Sequence, residues 1–210
     1  PARCARYATE IERLWRIPAS CARGRDRPKV IFQPSTIPEI IVIKPKVFGD
    51  ARGFFFESWN ARAFRQAGIT ETFVQDNHSR STRGVLRGLH YQIRQPQGKL
   101  VRVIAGEIFD VAVDIRRASP TFGQSVSVRL SCENHRMLWV PAGFAHGFLV
   151  VSDYAEVLYK ATDFYAPEHE RSIAWNDPLL GIQWPDVGTP YVLSAKDQTG
   201  KMLADAEVFA

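Results

Sequence analysis

The chain has 210 residues, of which 45% are hydrophobic and 23% are charged, and its formal net charge is +5. Residues 1–34 hold eight basic and three acidic residues, so the whole positive excess lies there and residues 35–210 are balanced. A balanced body is not typical of a domain that follows a phosphate backbone, and no apolar run approaches the roughly 18 residues of a membrane-spanning helix. The composition therefore disfavours nucleic-acid binding and excludes a membrane span.

The chain divides into a short basic segment and one domain. Residues 1–34 are expected to form a poorly ordered N-terminal extension, and residues 35–210 are long enough for a single domain with a core of its own. Cys4 and Cys21 lie in the extension and Cys132 alone lies in the body. Neither a disulfide framework nor a cysteine-based zinc site can be built in the body, and the reducing cytoplasm is the expected compartment.

From residue 35 onward, short apolar runs alternate with turn residues, which predicts a succession of β-strands. The predicted strands are 40–43, 54–59, 72–78, 85–92, 99–104, 107–115, 125–130, 137–140, 147–150 and 155–159. One helix is predicted over 60–67, with Asn60 as its N-cap, and a short helix is expected after Lys196. Ten short strands at this spacing predict a β-sandwich or barrel rather than a parallel sheet flanked by helices.

Two of these strands carry polar residues in an unusual arrangement. Asp110 and Asp114 share one face of 107–115, so that face is either wet or lines a polar cavity. In 85–92, Arg87 and His90 have opposite parity and would point to opposite faces of a regular strand. If both serve one pocket, the alternation must break near Gly88, a residue type that tolerates a bulge.

His90 and His146 are the histidines with the most informative surroundings. The position two after His90 is Gln92, and His146 has no histidine or carboxylate at a spacing that would complete a metal site. A metal site is therefore not expected. His90 is either a structural histidine or a general base, for which an ordinary pKa near 6.5 is suitable.

Removal of a proton next to a carbonyl needs a base, a carboxylate that orients the base, a donor for the enolate oxygen and an acid. His90 is the candidate base, Lys99 the candidate donor and Tyr159 the candidate acid. Taken singly, Lys99 is more typical of a solvated strand end, and Tyr159 is more typical of a core tyrosine with a wet hydroxyl.

Arg52 and Arg87 are candidates for binding phosphate, because a guanidinium grips two phosphate oxygens at once. Surface ion pairing is the alternative for both. The run Phe54 to Phe56 follows Arg52 closely, and three consecutive strand residues cannot all face one core. At least one of these rings is expected to meet a partner subunit or a ligand.

Together these segments resemble the dTDP-4-dehydrorhamnose 3,5-epimerase family. Matching motifs follow one another in family order over nearly all of residues 36–200: Pro45 to Ser58, Phe73 to Ser79, Val85 to Gln92, Gln97 to Arg102, Phe109 to Ile115, Ser119 to Gly123, Pro141 to Phe148, Tyr154 to Thr162 and Leu193 to Asp197. The resemblance implies a mainly β, cupin-type antiparallel barrel or jelly roll with a few short helices, forming a homodimer without metal or cofactor.

The resemblance also implies an activity in dTDP-L-rhamnose biosynthesis. His90 would take the C5 proton and then the C3 proton of dTDP-4-dehydro-6-deoxy-D-glucose, with Asp197 as its partner. Tyr159 would return a proton from the opposite face, and Lys99 would stabilise the O4 enolate. The product would be dTDP-4-dehydro-L-rhamnose.

Further positions match residues that hold the nucleotide sugar in the family. They are Arg52, Glu57, Gln75, Asn77, Arg87, His146, Glu170 and Lys196, with Phe48 and Tyr165 near the thymine ring. Arg52 and Glu57 would reach the site from the second subunit. Three alternatives stay open: a 3-only or 5-only epimerase of a related nucleotide-linked 4-keto sugar, a non-catalytic cupin that binds a nucleotide sugar, and a metal-dependent cupin oxygenase.

Overall fold

The computed structural model describes residues 30–210, which form two antiparallel β-sheets and a separate hairpin. In chain order the strands are β1 (Ile31–Pro34), β2 (Ile41–Lys44), β3 (Phe48–Asp50), β4 (Gly53–Phe55), β5 (Gln75–Thr82), β6 (Leu86–Gln92), β7 (Lys99–Ala105), β8 (Glu107–Asp114), β9 (Ser125–Ser131), β10 (Met137–Val140), β11 (Phe144–Val150), β12 (Tyr154–Ala161) and β13 (Glu170–Ser172). The six-stranded sheet has the order β1-β2-β10-β7-β12-β5, and the five-stranded sheet has the order β13-β6-β11-β8-β9. From β5 onward the chain therefore crosses repeatedly from one sheet to the other.

An apolar core packs between the two sheets beside the cavity described below. Val101 and Val157 enter it from the six-stranded sheet, and Ile108, Ala112 and Phe148 enter it from the five-stranded sheet. Alternate residues of each strand point inward, so a few branched or aromatic side chains from every strand suffice. The predicted antiparallel β architecture with few short helices is confirmed.

A second core covers the outer face of the five-stranded sheet. Leu89 and Val113 of this sheet pack against Leu180 and Leu203 of the C-terminal segment. Both faces of the sheet are thus buried, and the C-terminal segment is held beside β6. This packing brings the short helix α2 (Ala195–Gln198) against β6, where the site described below is formed.

Within the described residues the other α-helix is α1 (Ala61–Gln66), which closely matches the predicted helix over 60–67. Asn60 is its N-cap, and the side-chain oxygen of Asn60 accepts hydrogen bonds from the backbone N–H groups of Arg62 and Ala63. Phe64 on the inner side is buried in a cluster with residues of β2, β7 and β10. Single-turn 3₁₀ helices lie at Pro167–His169, Pro178–Leu180 and Leu203–Asp205.

The structure corrects three sequence predictions. Residues 31–34, assigned to the extension, form β1 and pair with β2 at the edge of the larger sheet. The strand predicted over 54–59 is limited to β4, which pairs with the unpredicted β3 in an exposed hairpin. The stretch after 163, predicted as loop, contains β13, which pairs with β6. The rest of the predicted extension, residues 1–29, lies outside the described residues.

No helix within residues 30–210 has the length and apolar character that crossing a membrane would require.

Candidate active site

A cavity of about 330 Å³ opens between the two sheets and contains most of the predicted site residues. One wall comes from β5, β7 and β12, the other from β6 and β11, and the segments around Tyr165 and α2 complete its rim. The lining residues are Gln75, Asn77, Ser79, Arg87, His90, Gln97, Lys99, His146, Gly147, Phe148, Tyr159, Tyr165, Glu170 and Lys196.

The bulge expected near Gly88 is present and brings Arg87 and His90 into the same cavity. The register of β6 against β11 shifts between His146 and Phe148, opposite this position. Gly88 has φ of +125°, and a Cβ placed on it would lie 2.5 Å from the Cα of Gly147. A glycine is required here because the backbones of β6 and β11 approach so closely.

His90 is hydrogen-bonded to a carboxylate from a distant part of the chain. Its Nε2 lies 2.6 Å from Oδ1 of Asp197, which also accepts the backbone N–H of Gly88 at 3.1 Å. The bond to Asp197 occupies Nε2 and leaves Nδ1 as the ring nitrogen for a ligand. Burial is the main cause that lowers the pKa of His90, and the charges of Lys196 and Lys99 lower it further against the effect of Asp197. A neutral imidazole that can accept a proton is therefore favoured.

Asp197 is fixed by the helix that carries it. Ser194 caps α2, and its hydroxyl donates to Oδ2 of Asp197 at 2.6 Å while accepting the Asp197 backbone N–H at 3.2 Å. Burial alone would raise the pKa of Asp197, but hydrogen bonds from His90, Ser194 and Gly88 hold it well below its usual range. Asp197 is thus a fixed negative charge behind the histidine.

Lys99 and Tyr159 face the same cavity from the larger sheet. Burial lowers the pKa of Lys99 to about 8, although the carboxylates of Glu170 and Asp110 oppose this effect. Burial also raises the pKa of Tyr159, so its hydroxyl stays protonated at neutral pH. The cavity therefore combines a neutral base, a hydroxyl that holds its proton and an ammonium group with a weakened hold on its proton.

The rim of the cavity is a hydrogen-bonded network around Glu170. Lys196 Nζ donates to Oε1 of Glu170 at 2.6 Å, and the Tyr165 hydroxyl donates to Oε2 at 2.9 Å. Burial opposes ionisation of Glu170, but these two donors lower its pKa. The backbone N–H of Tyr165 donates to Gln75 Oε1 at 3.0 Å, and Gln75 Nε2 donates to Asn77 Oδ1 at 3.0 Å. These contacts join the rim to β5.

Sequence reasoning missed two residues that support the site. Asp110 is fully buried, and its Oδ1 lies 2.9 Å from Nε2 of His146, so a second His–Asp pair has its histidine in the cavity lining and its carboxylate buried behind it. From the sequence, the face of 107–115 that carries Asp110 is expected to be either wet or next to a polar cavity, and Asp110 lies next to a polar cavity. Ser194 was missed as the partner of Asp197. The two residues are three positions apart, which is the spacing of a capping box.

Three predicted site residues lie away from the cavity. Arg52 and Phe48 belong to the β3–β4 hairpin, and Glu57 follows it. The Arg52 side chain is 86% exposed and pairs with Asp50 of the same hairpin at 2.5 Å. Phe54 and Phe55 are 64% and 67% exposed, so this hairpin presents apolar rings to its surroundings. Within one chain, Arg52, Glu57 and Phe48 do not meet His90.

Residues 30–210 contain no cluster of three or more histidine, cysteine or carboxylate side chains arranged to hold a metal ion.

The two antiparallel sheets, with a His–Asp pair, a lysine and a tyrosine in the cavity between them, have the architecture of a cupin-type barrel. A family profile described as "dTDP-4-dehydrorhamnose 3,5-epimerase" matches residues 34–205. The dTDP-4-dehydrorhamnose 3,5-epimerase of Pseudomonas aeruginosa is 68% identical over 174 residues, covering 82% of this chain and 96% of the relative. The chain therefore belongs to the dTDP-4-dehydrorhamnose 3,5-epimerase family, as the sequence motifs predicted.

Solved structures agree with this assignment. The Legionella pneumophila dTDP-6-deoxy-D-glucose-3,5-epimerase, in complex with dTDP-4-keto-L-rhamnose, has a TM-score of 0.83 and 55% identity, covering 85% of this chain and 95% of that one. A 3'-monoepimerase from Streptomyces bikiniensis, in complex with dTDP-quinovose, has a TM-score of 0.76 and 36% identity, covering 81% of this chain and 87% of that one. The predicted cupin-type fold is confirmed.

Proposed function

We propose that this enzyme inverts C3 and C5 of dTDP-4-dehydro-6-deoxy-D-glucose and so forms dTDP-4-dehydro-L-rhamnose in the cytoplasm. The observation that carries the proposal is the buried pair of His90 and Asp197, which shares one cavity with Lys99 and Tyr159. The relative from Legionella pneumophila was crystallised with a ligand of this class. Its 55% identity makes the same substrate the first choice for this chain.

The first step is removal of the C5 proton by Nδ1 of His90. The electron pair of the C–H bond forms a C4–C5 double bond, and the C4 carbonyl electrons move to O4. Asp197 stabilises the imidazolium that forms, and the ammonium group of Lys99 donates to the O4 enolate. Asp197 and Lys99 thus interact with charges that develop in the transition state of proton removal. Interactions that are stronger in the transition state than in the ground state lower the barrier.

The second step returns a proton to C5 from the opposite face. Tyr159 lies on the other sheet from His90, and its raised pKa keeps the proton on the hydroxyl until the enolate attracts it. The C4 carbonyl reforms, and the configuration at C5 is inverted. Before the next cycle, His90 releases its proton to solvent and Tyr159 regains one from solvent. The same four groups then act at C3, where His90 removes the proton, an enolate forms toward C3, and return of a proton to the opposite face gives the second inversion.

The remaining cavity residues bind the nucleotide sugar without taking part in proton transfer. Arg87 and Lys196 supply positive charge for the diphosphate. Gln75, Asn77 and Glu170 hold polar groups of the ligand, and His146 is oriented for this purpose by Asp110. Tyr165 lies at the mouth, where its exposed ring can stack on the thymine base.

The enzyme acts as a homodimer in which each hairpin completes the partner's cavity. The exposure of Phe54 and Phe55, and the distance of Arg52 from its own cavity, support this arrangement. An isologous dimer places the same hairpin over each of its two sites. Arg52, Glu57 and Phe48 then contact the ligand of the other subunit.

Hybrid dimers test the shared site. His90→Asn and Arg52→Ala chains are each expected to be nearly inactive alone. When the two are mixed after dissociation, half of the dimers are hybrids and one site in each hybrid is intact, so about a quarter of the wild-type activity returns. No recovery, with hybrids shown to form by mass spectrometry, contradicts a shared site.

The activity itself is tested by proton NMR of the product formed from dTDP-4-dehydro-6-deoxy-D-glucose. We expect inversion at both C3 and C5. The Streptomyces bikiniensis relative makes a 3-only epimerase the second candidate, and a product inverted only at C3 would select it. An unchanged substrate would show that this chain binds or converts a different molecule.

A further inference from the structure

Arg87 lines the cavity, and among residues 30–210 it has no carboxylate partner. The one hydrogen bond that its side chain makes within that range runs from Nε to Oγ of Ser81, over 3.0 Å. Arg83 and Arg116, by contrast, are each paired with an aspartate. A guanidinium that faces a cavity with its two terminal nitrogens unpaired can bind two oxygens of an anion.

Ser81 and Arg87 lie on either side of the turn that joins the two sheets. Ser81 is near the end of β5 in the six-stranded sheet, and Arg87 is near the start of β6 in the five-stranded sheet. Between them, the N–H of Gly84 donates to the carbonyl of Val150 at 3.0 Å, and the carbonyl of Gly84 accepts the N–H of Val192 at 2.9 Å. The backbone that carries both partners of the Ser81–Arg87 bond is therefore fixed by its neighbours.

The two partners of this bond differ in freedom. Ser81 is buried and lies opposite the core residue Ala155, whereas Arg87 is exposed to the cavity and to solvent. A long arginine side chain loses much rotamer entropy when a ligand orders it, and a buried serine loses little. A fixed acceptor that already holds Nε removes part of this cost before the ligand binds.

A second feature of this end of the cavity indicates a ligand. Ser79 precedes Ser81 on the same face of β5, and its buried Oγ has no hydrogen-bond partner in the described part of the chain. A buried hydroxyl without a partner lowers the stability of the folded protein. Because Ser79 lines the same cavity as Arg87, an anion bound by the guanidinium can accept this hydroxyl as well.

We propose that Ser81 is a positioning residue for Arg87, whose guanidinium binds the diphosphate of the nucleotide sugar. Ser81 accepts the Nε–H and leaves the N–H groups of both terminal nitrogens for two phosphate oxygens, as bidentate binding requires. Ser81 is not among the residues that line the cavity, so it acts through Arg87. This inference rests on the proposed function, because it takes a diphosphate as the group that Arg87 binds.

A double-mutant cycle of Ser81→Ala and Arg87→Met tests the proposal. The Kd for dTDP is measured by calorimetry for the wild type, both single variants and the double variant, with thermal unfolding as a check of folding. For the wild type and Ser81→Ala, kcat and KM are also measured with dTDP-4-dehydro-6-deoxy-D-glucose. Ser131→Ala is the matched control, because Ser131 is 7% exposed against 8% for Ser81, and its Oγ accepts the backbone N–H of Asn134 on β9, away from the cavity lining.

We expect Ser81→Ala to raise the Kd for dTDP about fivefold when Arg87 is present, the usual net effect of one hydrogen bond. KM should rise by a similar factor, and kcat should stay within about twofold, because the diphosphate is bound equally before and during proton transfer. In the Arg87→Met background, Ser81→Ala should leave the Kd unchanged. Ser131→Ala should keep the wild-type Kd even if its Tm falls.

The other outcomes overturn the proposal in distinguishable ways. A merely structural role of Ser81 would weaken dTDP binding by the same factor with and without Arg87. If the wild type binds dTDP and converts the substrate, that result, or a wild-type Kd in Ser81→Ala, shows that the inference is wrong while the proposed function stands. If the wild type does not bind dTDP, the proposed function is wrong and the role of Ser81 is overturned with it.

Discussion

Asp197 and His90 are joined by a hydrogen bond of 2.6 Å although 107 positions separate them in the chain. The C-terminal segment makes this contact by packing on the outer face of the five-stranded sheet and placing α2 against β6. The same oxygen of Asp197 accepts the backbone N–H of Gly88. The packing of the second core thus positions Asp197 against His90.

Asp197→Asn removes the charge that we propose stabilises the imidazolium and leaves the shape of the site almost unchanged. We expect kcat to fall by about 10²- to 10⁴-fold, because the variant no longer stabilises the charged form of His90. Steady-state kinetics with circular dichroism as a check of folding measure the effect. Asp205→Asn, at an exposed carboxylate of a 3₁₀ helix, is the matched control. A wild-type kcat in Asp197→Asn would contradict the role of this carboxylate.

Lys99 should produce an alkaline limit of activity. Burial favours the neutral form of Lys99 and lowers its pKa to about 8, so its ammonium charge, which we propose stabilises O4, is lost as the pH rises through about 8. We expect kcat/KM, which reports the free enzyme, to fall about tenfold per pH unit above that value. Lys99→Gln should be slow at every pH and lack this limb, whereas exposed Lys201→Gln should keep it. A wild-type profile that stays flat from about pH 7 to 10 would refute the assignment.

Tyr159→Phe keeps the ring and removes the hydroxyl that we propose returns the proton. Proton removal by His90 should continue, while formation of the C5-inverted product should fall by about 10²-fold or more. NMR of the product in D₂O separates the two effects. Tyr154→Phe on the same strand, where the side chain is exposed, should behave as the wild type. The acid assignment fails if Tyr159→Phe makes the product with unchanged rate and stereochemistry.

Asp114 makes a separate contribution to stability in acid. Burial would raise its pKa, but hydrogen bonds from Arg116, Ser119 and Thr121 hold the pKa at about 2. Because this value is below that of the unfolded chain, the contribution is complete above about pH 4 and is lost as the pH falls toward 2. Urea unfolding should show a loss of about 2 kcal/mol over this range that Asp114→Asn lacks. If the free energy of unfolding falls equally with pH in the wild type and in Asp114→Asn, Asp114 is not the titrating group.

Local pattern was enough to predict most of the strands. The apolar run at Met137–Val140 coincides with β10, and Asn60 caps the helix where the sequence placed the cap. The missed strands β1, β3 and β13 have three or four residues each, and none of them has a clear alternating pattern. Such strands are fixed by the partner strand with which they pair, which a local pattern does not contain.

The site was predictable only in part from residue chemistry. His90, Lys99 and Tyr159 were candidates because their side chains suit proton transfer, but Asp197 was assigned through the family resemblance. Asp110 was noted on a face that could be wet or polar, and its partner His146 lies on the neighbouring strand. Contacts of this kind depend on which strands are neighbours, and local sequence does not specify that order.

The most direct test of the account is exchange of solvent deuterium into the substrate by His90→Asn. In D₂O, the wild type should introduce deuterium at C5 and C3 of dTDP-4-dehydro-6-deoxy-D-glucose as it inverts them. The variant keeps a polar side chain of similar size at the base position and should still bind dTDP. We expect its exchange at both carbons to fall by about 10²- to 10⁴-fold. Exchange at near wild-type rates in a folded His90→Asn that binds dTDP would contradict the assignment of His90 as the base.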